Sequence, residues 1–177
     1  MLAFLDHNMT RRLDAKRKEY LDRGIRVTQY LPFVYAADFL PLLGNTTLLD
    51  QVTIDMENDF LLCMQTFAAF STGGVAQTAP NVLVKLTADV AARQLMSGQV
   101  HLINVFGTGE RPYLYYEPLE LPAKSSMSVE ADSETATDLN LRLSFIGVKV
   151  FTERAERAPL RRARTSSMVN RYAMARG

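Results

Sequence analysis

QVHLINVFGTGERPYLYYEPLELPAKSSMSVEADSETATDLNLRLSFIGVKVF, residues 99–151, is the stretch that decides the fold. Within it Met127, Val129 and Ala131 alternate with Ser126, Ser128, Glu130 and Asp132. Further on, Leu139, Leu141, Leu143 and Phe145 alternate with Asn140, Arg142 and Ser144. A period of two sends one set to a core and the other to water. The ADSETATD between them is polar and has no helical stripe, so it reads as a loop joining two strands. Leu139–Phe151 is then the last strand of a mainly β, antiparallel sandwich or jelly-roll-like fold.

Earlier in the same stretch, Pro112, Pro118 and Pro122 are set among Tyr113, Tyr115 and Tyr116. Proline cannot donate to a ladder, so this segment belongs at a sheet edge or crosses between sheets. Residues 91–106, AARQLMSGQVHLINVF, read as a short strand, a turn at Ser97-Gly98 and a second strand. NVLVKLTADV places Val82, Val84, Leu86, Ala88 and Val90 on one face. DFLLCMQTFAAF is nearly continuous in apolar residues, as a central strand covered on both faces would be, with helix as the competing reading. LLDQVTIDM alternates at Val52, Ile54 and Met56, and IRVTQYLPFVY is a strand that Pro32 bends or confines to an edge. Pro41, Gly44 and Asn45 signal a turn, and residues 71–81, STGGVAQTAPN, a loop. Seven to nine short strands without intervening helices pair antiparallel.

Both ends differ from this body. Leu2, Leu5, Met9 and Leu13 recur at helical spacing, Tyr20 and Leu21 resume the stripe, and Gly24 is placed to stop the helix. This amphipathic helix, residues 1–24, covers either its own body or a neighbouring subunit. Its mixed charges argue against a membrane surface. Residues 1–24 carry six basic and four acidic side chains, the body (25–152) seven and thirteen, and the C-terminal arm (153–177) seven and two. An acidic body with basic ends is a statement about partners. Candidate partner contacts are Leu2, Leu5, Met9 and Leu13 on the helix, and Arg154, Arg157, Arg161, Arg162, Arg164, Arg171 and Tyr172 in the arm. The arm reads as ordered only on a partner. Protein surfaces, including the acidic body of another copy, are favoured over nucleic acid, and a membrane is not expected.

Hydrophobic residues make up 47% of the 177, enough for a real core, and the length suits one domain with appendages. The lone Cys63 excludes an intrachain disulfide and reads as a buried hydrophobe, pointing to a reducing compartment. The N-terminus has neither the basic start nor the apolar core of a signal peptide, and no apolar run reaches bilayer length.

A catalytic constellation does not emerge. His7 and His101 lack ligand spacing, so neither a metal nor another cofactor is predicted. Ser71, His101 and Asp89 make a triad on paper only, without a nucleophile-elbow motif. GTGERP, from Gly107, lacks the Lys-Ser/Thr that opens a helix in a phosphate-binding loop and reads as a strand-to-strand turn. Ser71–Gly74 is a flexible loop. Glu110, Glu117 and Glu120 offer carboxylates without the spacing of a hydrolase pair. The three tyrosines are the only aromatic platform a carbohydrate-binding module could use.

NVFGTGERPY, the strand SSMSVEA and the closing FIGVKVF together resemble a group of small structural proteins of tailed bacteriophages. The resemblance covers residues 99–151, with weaker support from Phe60 to Val90. It implies a non-enzymatic β-sandwich virion component, assembled in the host cytoplasm: a minor capsid or decoration protein, or a neck, connector or tail-ring part. Major capsid or neck proteins and further copies of the chain would be its neighbours.

Overall fold

The computed structural model describes residues 7–88 and 95–154. In chain order the elements are α1 (His7–Asp22), β1 (Ile25–Leu42), β2 (Thr47–Thr53), β3 (Asp59–Ser71), β4 (Val82–Ala88), β5 (Val100–His101), α2 (Leu102–Val105), β6 (Tyr113–Leu121), β7 (Ser126–Ser133) and β8 (Leu139–Arg154). The strands form two antiparallel sheets, sheet A in the order β1-β8-β3-β6 and sheet B in the order β2-β7-β4-β5. Hydrogen-bonded partners are therefore nested: first with eighth, second with seventh, third with sixth, fourth with fifth. One buried cluster joins the facing sides of the two sheets, as in a sandwich.

The alternation that predicts β4, β7 and β8 is the alternation found. Val82, Val84, Leu86 and Ala88 are buried, as are Met127, Val129 and Ala131, and Leu139, Leu141, Leu143 and Phe145. Phe106 meets Phe145 edge to face at 5.7 Å in the middle of this core. Val90 lies outside the described residues. Val52 and Ile54 are buried as expected, but Met56 is 71% exposed, because β2 ends at Thr53 and the chain has left the sheet by then.

β3 is buried without a break from Phe60 to Gln65. Phe60 and Leu62 face sheet B, whereas Leu61 and Cys63 face α1. A register irregularity between Leu62 and Met64 then reverses the parity, so that Phe67 and Ala69 face sheet B. Helix is the reading excluded here. β8 is covered likewise at its far end, where Val148 and Val150 lie beneath α1.

β1 is one strand of 18 residues rather than a strand and a turn. The turn follows it, with Asn45 in the left-handed region at φ 52°. Pro32 and Pro41 sit at the edge of sheet A, where a missing donor costs no ladder bond. Other edge groups are covered: the Arg17 guanidinium donates to Val27 O at 3.4 Å, and Asp50 accepts the Asp38 N–H at 3.1 Å. The proline-rich β6 takes the opposite edge.

One expected strand is largely absent. Only Val100 and His101 pair with β4, and Leu102–Val105 form a single helical turn. Leu102 and Phe106, four residues apart, are both fully buried by that turn, and the Phe106 N–H donates to Leu102 O at 2.8 Å. Residues 89–94 of the other expected strand lie outside the described residues.

Candidate functional site

The seam between α1 and β6 gathers more polar chemistry than any other place among the described residues. α1 crosses the outer face of sheet A with Met9, Leu13 and Tyr20 buried beneath it. Gly24, at φ +76°, ends the helical segment in the left-handed region that favours glycine. Met9 and Leu13 therefore sit on the chain's own body, on Leu61, Cys63, Val148 and Val150, and are not offered to a neighbour. That corrects the partner-contact expectation for these two residues.

Polar contacts fix the helix at both ends. The Tyr20 hydroxyl donates to Asp59 Oδ2 at 3.0 Å, and Arg23 donates to both Glu120 oxygens at 3.1 Å. The Arg23 guanidinium also lies 4.4 Å from the centre of the Tyr20 ring. Burial, then the Asp59 and Glu120 charges, holds the Tyr20 phenol well above its ordinary range. Nearer the helix start, Arg12 Nη1 donates to Tyr115 O at 2.6 Å and the guanidinium lies 5.3 Å from the centre of the Tyr116 ring. From β1, the Tyr30 hydroxyl donates to Leu13 O at 2.9 Å.

Two adjoining cavities, of about 500 and 490 Å³, share Lys16, Glu117 and Pro118. The inner one has apolar walls, including Leu86, Val105 and Leu119, and a polar corner made by Gln65. Gln65 is buried with both ends used: its Nε2 donates to Val105 O, and its Oε1 accepts the Tyr115 hydroxyl at 2.9 Å. Burial pushes the Tyr115 phenol upward too. The outer cavity is lined by Arg11, Arg12, Lys16, Glu19 and Tyr116. Lys16 is paired with Glu19 at 2.8 Å. These donors and acceptors are largely spent on one another, so the work the seam does is to hold α1, β3 and β6 together.

The tyrosines do not make one platform. Tyr113 and Tyr115 stack edge to face at 5.5 Å on the side toward sheet B, whereas Tyr116 is 83% exposed on the other side beside Arg12. Adjacent positions on a strand must diverge in this way. The paper triad is not assembled either. Ser71 ends β3 in sheet A, and its Oγ accepts the Val75 N–H at 3.1 Å. His101 sits on β5 in sheet B, and Asp89 lies outside the described residues.

GTGERP folds back on itself: a Cβ on Gly107 would stand 2.0 Å from Arg111 O. Gly107 O accepts the Phe67 N–H at 2.8 Å, so the loop lies on β3 and is no open phosphate cradle. In the Ser71–Gly74 turn the Gly74 N–H donates to Ser71 O at 2.9 Å. Of the carboxylates, Glu120 is held by Arg23, Glu117 lines both cavities, and Glu110 is exposed. Cys63 is fully buried, and burial pushes its thiol up to about 12. Among the described residues no three His, Cys, Asp or Glu side chains converge as metal ligands, and no helix is long and apolar enough to cross a membrane.

Sequence reasoning overlooked Gln65, although a polar side chain inside FLLCMQTF was the available signal. It also overlooked Lys149, which pairs with Asp55 and lies 3.4 Å from the centre of the Phe33 ring. Leu2, Leu5, Arg157, Arg161, Arg162, Arg164, Arg171 and Tyr172 lie outside the described residues. Arg154 is the last residue of β8, paired through its backbone with Ile25. Comparison with protein-family models, curated proteins and solved structures returns no match.

Proposed function

We propose that this chain is a non-enzymatic structural protein of a bacteriophage virion, a jelly-roll minor capsid or decoration protein that grips neighbouring shell subunits and copies of itself. The observation that carries this reading is the nested strand order. A chain whose first strand pairs with its last, and so inward to the fourth with the fifth, is a long hairpin wrapped into two sheets. Double-sheet folds of this kind recur in viral capsid and lectin domains. The split tyrosines weigh against the lectin branch, since a sugar-stacking surface needs rings on one side.

Charge supports the same reading. The body has an excess of acidic residues, and the segment beyond β8 carries seven arginines against two glutamates. That segment begins at the corner where Ile25 and Arg154 pair, beside the end of α1. With Met9 and Leu13 committed to the body, the arginine-rich end is the one left to reach a neighbour's acidic surface. Protein contact is favoured over DNA; contact with DNA would weaken steeply with added salt.

Quantitative peptide mass spectrometry on purified particles tests the proposal. A copy number close to that of the major shell protein is expected for a decorating role. A number fitting a single ring moves the protein to the neck or tail. Absence from particles overturns the virion reading and returns a carbohydrate-binding module to the front, which a glycan array would then examine.

A further inference from the structure

Sheet A is covered over only part of its outer face. Leu61 and Val148 pair beneath α1. One step along the strands, Val34 pairs with Ile146, Ile146 with Met64, and Met64 with Leu114. Paired residues share a face, so these four make an apolar row across all four strands. Its centre is the better shielded: Met64 is 6% exposed, whereas Val34 and Leu114 at the two edges are 41% and 53% exposed. Beyond the row the face turns small and polar, with Ala36, Ser144 and Thr66 in the next register and the Asp38–Arg142 ion pair after that.

α1 points at this row. Its end is fixed over the Asp59–Glu120 side by Tyr20 and Arg23, and its start lies beside Tyr115 through Arg12. The helix therefore runs against β3, with Met9 at the leading edge of the covered area. Leu5 precedes Met9 by four residues, about 6 Å of helix rise. The apolar row lies two strand residues beyond Val148, about 7 Å. The two steps match, and Leu2 and Leu5 continue the stripe that Met9 and Leu13 bury.

We infer that the N-terminal segment MLAFL docks on the Val34–Ile146–Met64–Leu114 row of its own chain, with Leu5 over Met64 and Ile146, and completes the cover of sheet A. The inference is independent of the virion reading. It assigns Leu2 and Leu5 to the body, as the structure does Met9 and Leu13.

The test uses the full chain with the photo-reactive residue benzoylphenylalanine in place of Leu5, mixed with an equal amount of 15N-labelled full chain and irradiated. Cross-links are expected within the unlabelled chain, to peptides carrying Met64 and Ile146, and are expected to be lost on Ile146→Lys. Cross-links to the labelled chain would overturn the inference in favour of a second copy as occupant. Cross-links to peptides away from the row, those of residues 155–177 included, would overturn it as well. A readout without the probe is the peroxide oxidation of Met64: Leu5→Asp is expected to speed it several-fold by uncovering the thioether. Equal rates in a variant that still melts cooperatively would also overturn the inference.

Discussion

In sheet B, Val82, Val84 and Leu86 point inward while Leu83, Lys85 and Thr87 point outward, and β7 repeats the pattern. In sheet A, β3 is buried from Phe60 to Gln65 with no outward residue left to water. The contrast follows from what lies on each sheet's second face. Sheet B meets solvent there, with Gln51, Ser128, Glu130 and Lys85 on its outer side. Sheet A meets α1, whose Met9, Leu13 and Tyr20 close over Leu61, Cys63, Val148 and Val150. A strand that alternates is complete with one partner layer. A strand that is apolar throughout demands a second, and here the chain supplies it from the residues just before its first strand.

The sharpest way to break this comparison is to damage the layer both sheets share. Phe145→Asp puts a charge where Phe106 packs and should cost at least ~3 kcal/mol, read by chemical denaturation. Wild-type melting would mean that β8 has been placed in the wrong register. Gly147→Ala comes next and falls on sheet A alone, since a Cβ there would stand 2.0 Å from Leu61 O. Overpacking of this kind costs roughly 1–3 kcal/mol. Gly98→Ala, with nothing within 4 Å of the added carbon, should be near neutral in the same assay.

Gln65→Leu should cost about 1–2 kcal/mol, because it strands Val105 O and the Tyr115 hydroxyl in a buried place. A neutral result would mean that the polar corner of the seam is solvated. Tyr20→Phe probes the cover by pH. The folded state keeps the Tyr20 phenol protonated above pH 10, where the unfolded chain ionises it. Stability is thus full below pH 10 and falls above it, by about 1.4 kcal/mol per pH unit per such group. Tyr20→Phe should shallow that fall without abolishing it, since Tyr30, pushed up to about 12, and Tyr115 contribute in the same direction. An unchanged alkaline slope would place Tyr20 in solvent.

The smallest effect belongs to the exposed outer face. The Arg142 guanidinium, bound to both Asp38 oxygens, holds that carboxyl below its ordinary value. Its contribution is present above about pH 4 and lost as the pH falls through the lower folded value. Asp38→Asn should flatten the acid limb slightly in low salt, and the difference should vanish in high salt.

Much of the fold was legible because period-two patterning leaves one reading where a single face is buried. β4, β7 and β8 are of this kind. The continuous run in β3 was legible as a doubly covered strand, but α1 as its cover was one of two options. Leu102 and Phe106 suit one helical turn as well as a strand, and only tertiary packing decides between them. Met56 misled because alternation in a sequence does not mark where pairing stops.

The seam was harder to see. Arg12, Gln65 and Tyr115 are far apart in the chain and meet only once α1, β3 and β6 are in place. By contrast the two motif glycines carry a physical reason that no pattern states: Gly107 lies against Arg111 O, and Gly147 against Leu61 O and the Phe60 ring.

β8 sits between β1 and β3, so the middle of sheet A is made from the last strand in the chain. Until Leu139–Arg154 has been synthesised, β1 and β3 have no partner between them, and the 18-residue β1 has no ladder at all. Pairings such as Ile25 with Arg154 close loops that span most of the chain, which makes folding slow, on the millisecond-to-second scale of β-rich domains. A nascent or prematurely ended chain would carry bare strand edges through that interval. The prolines of β1 therefore guard two moments: the finished edge, and the wait for β8 to arrive.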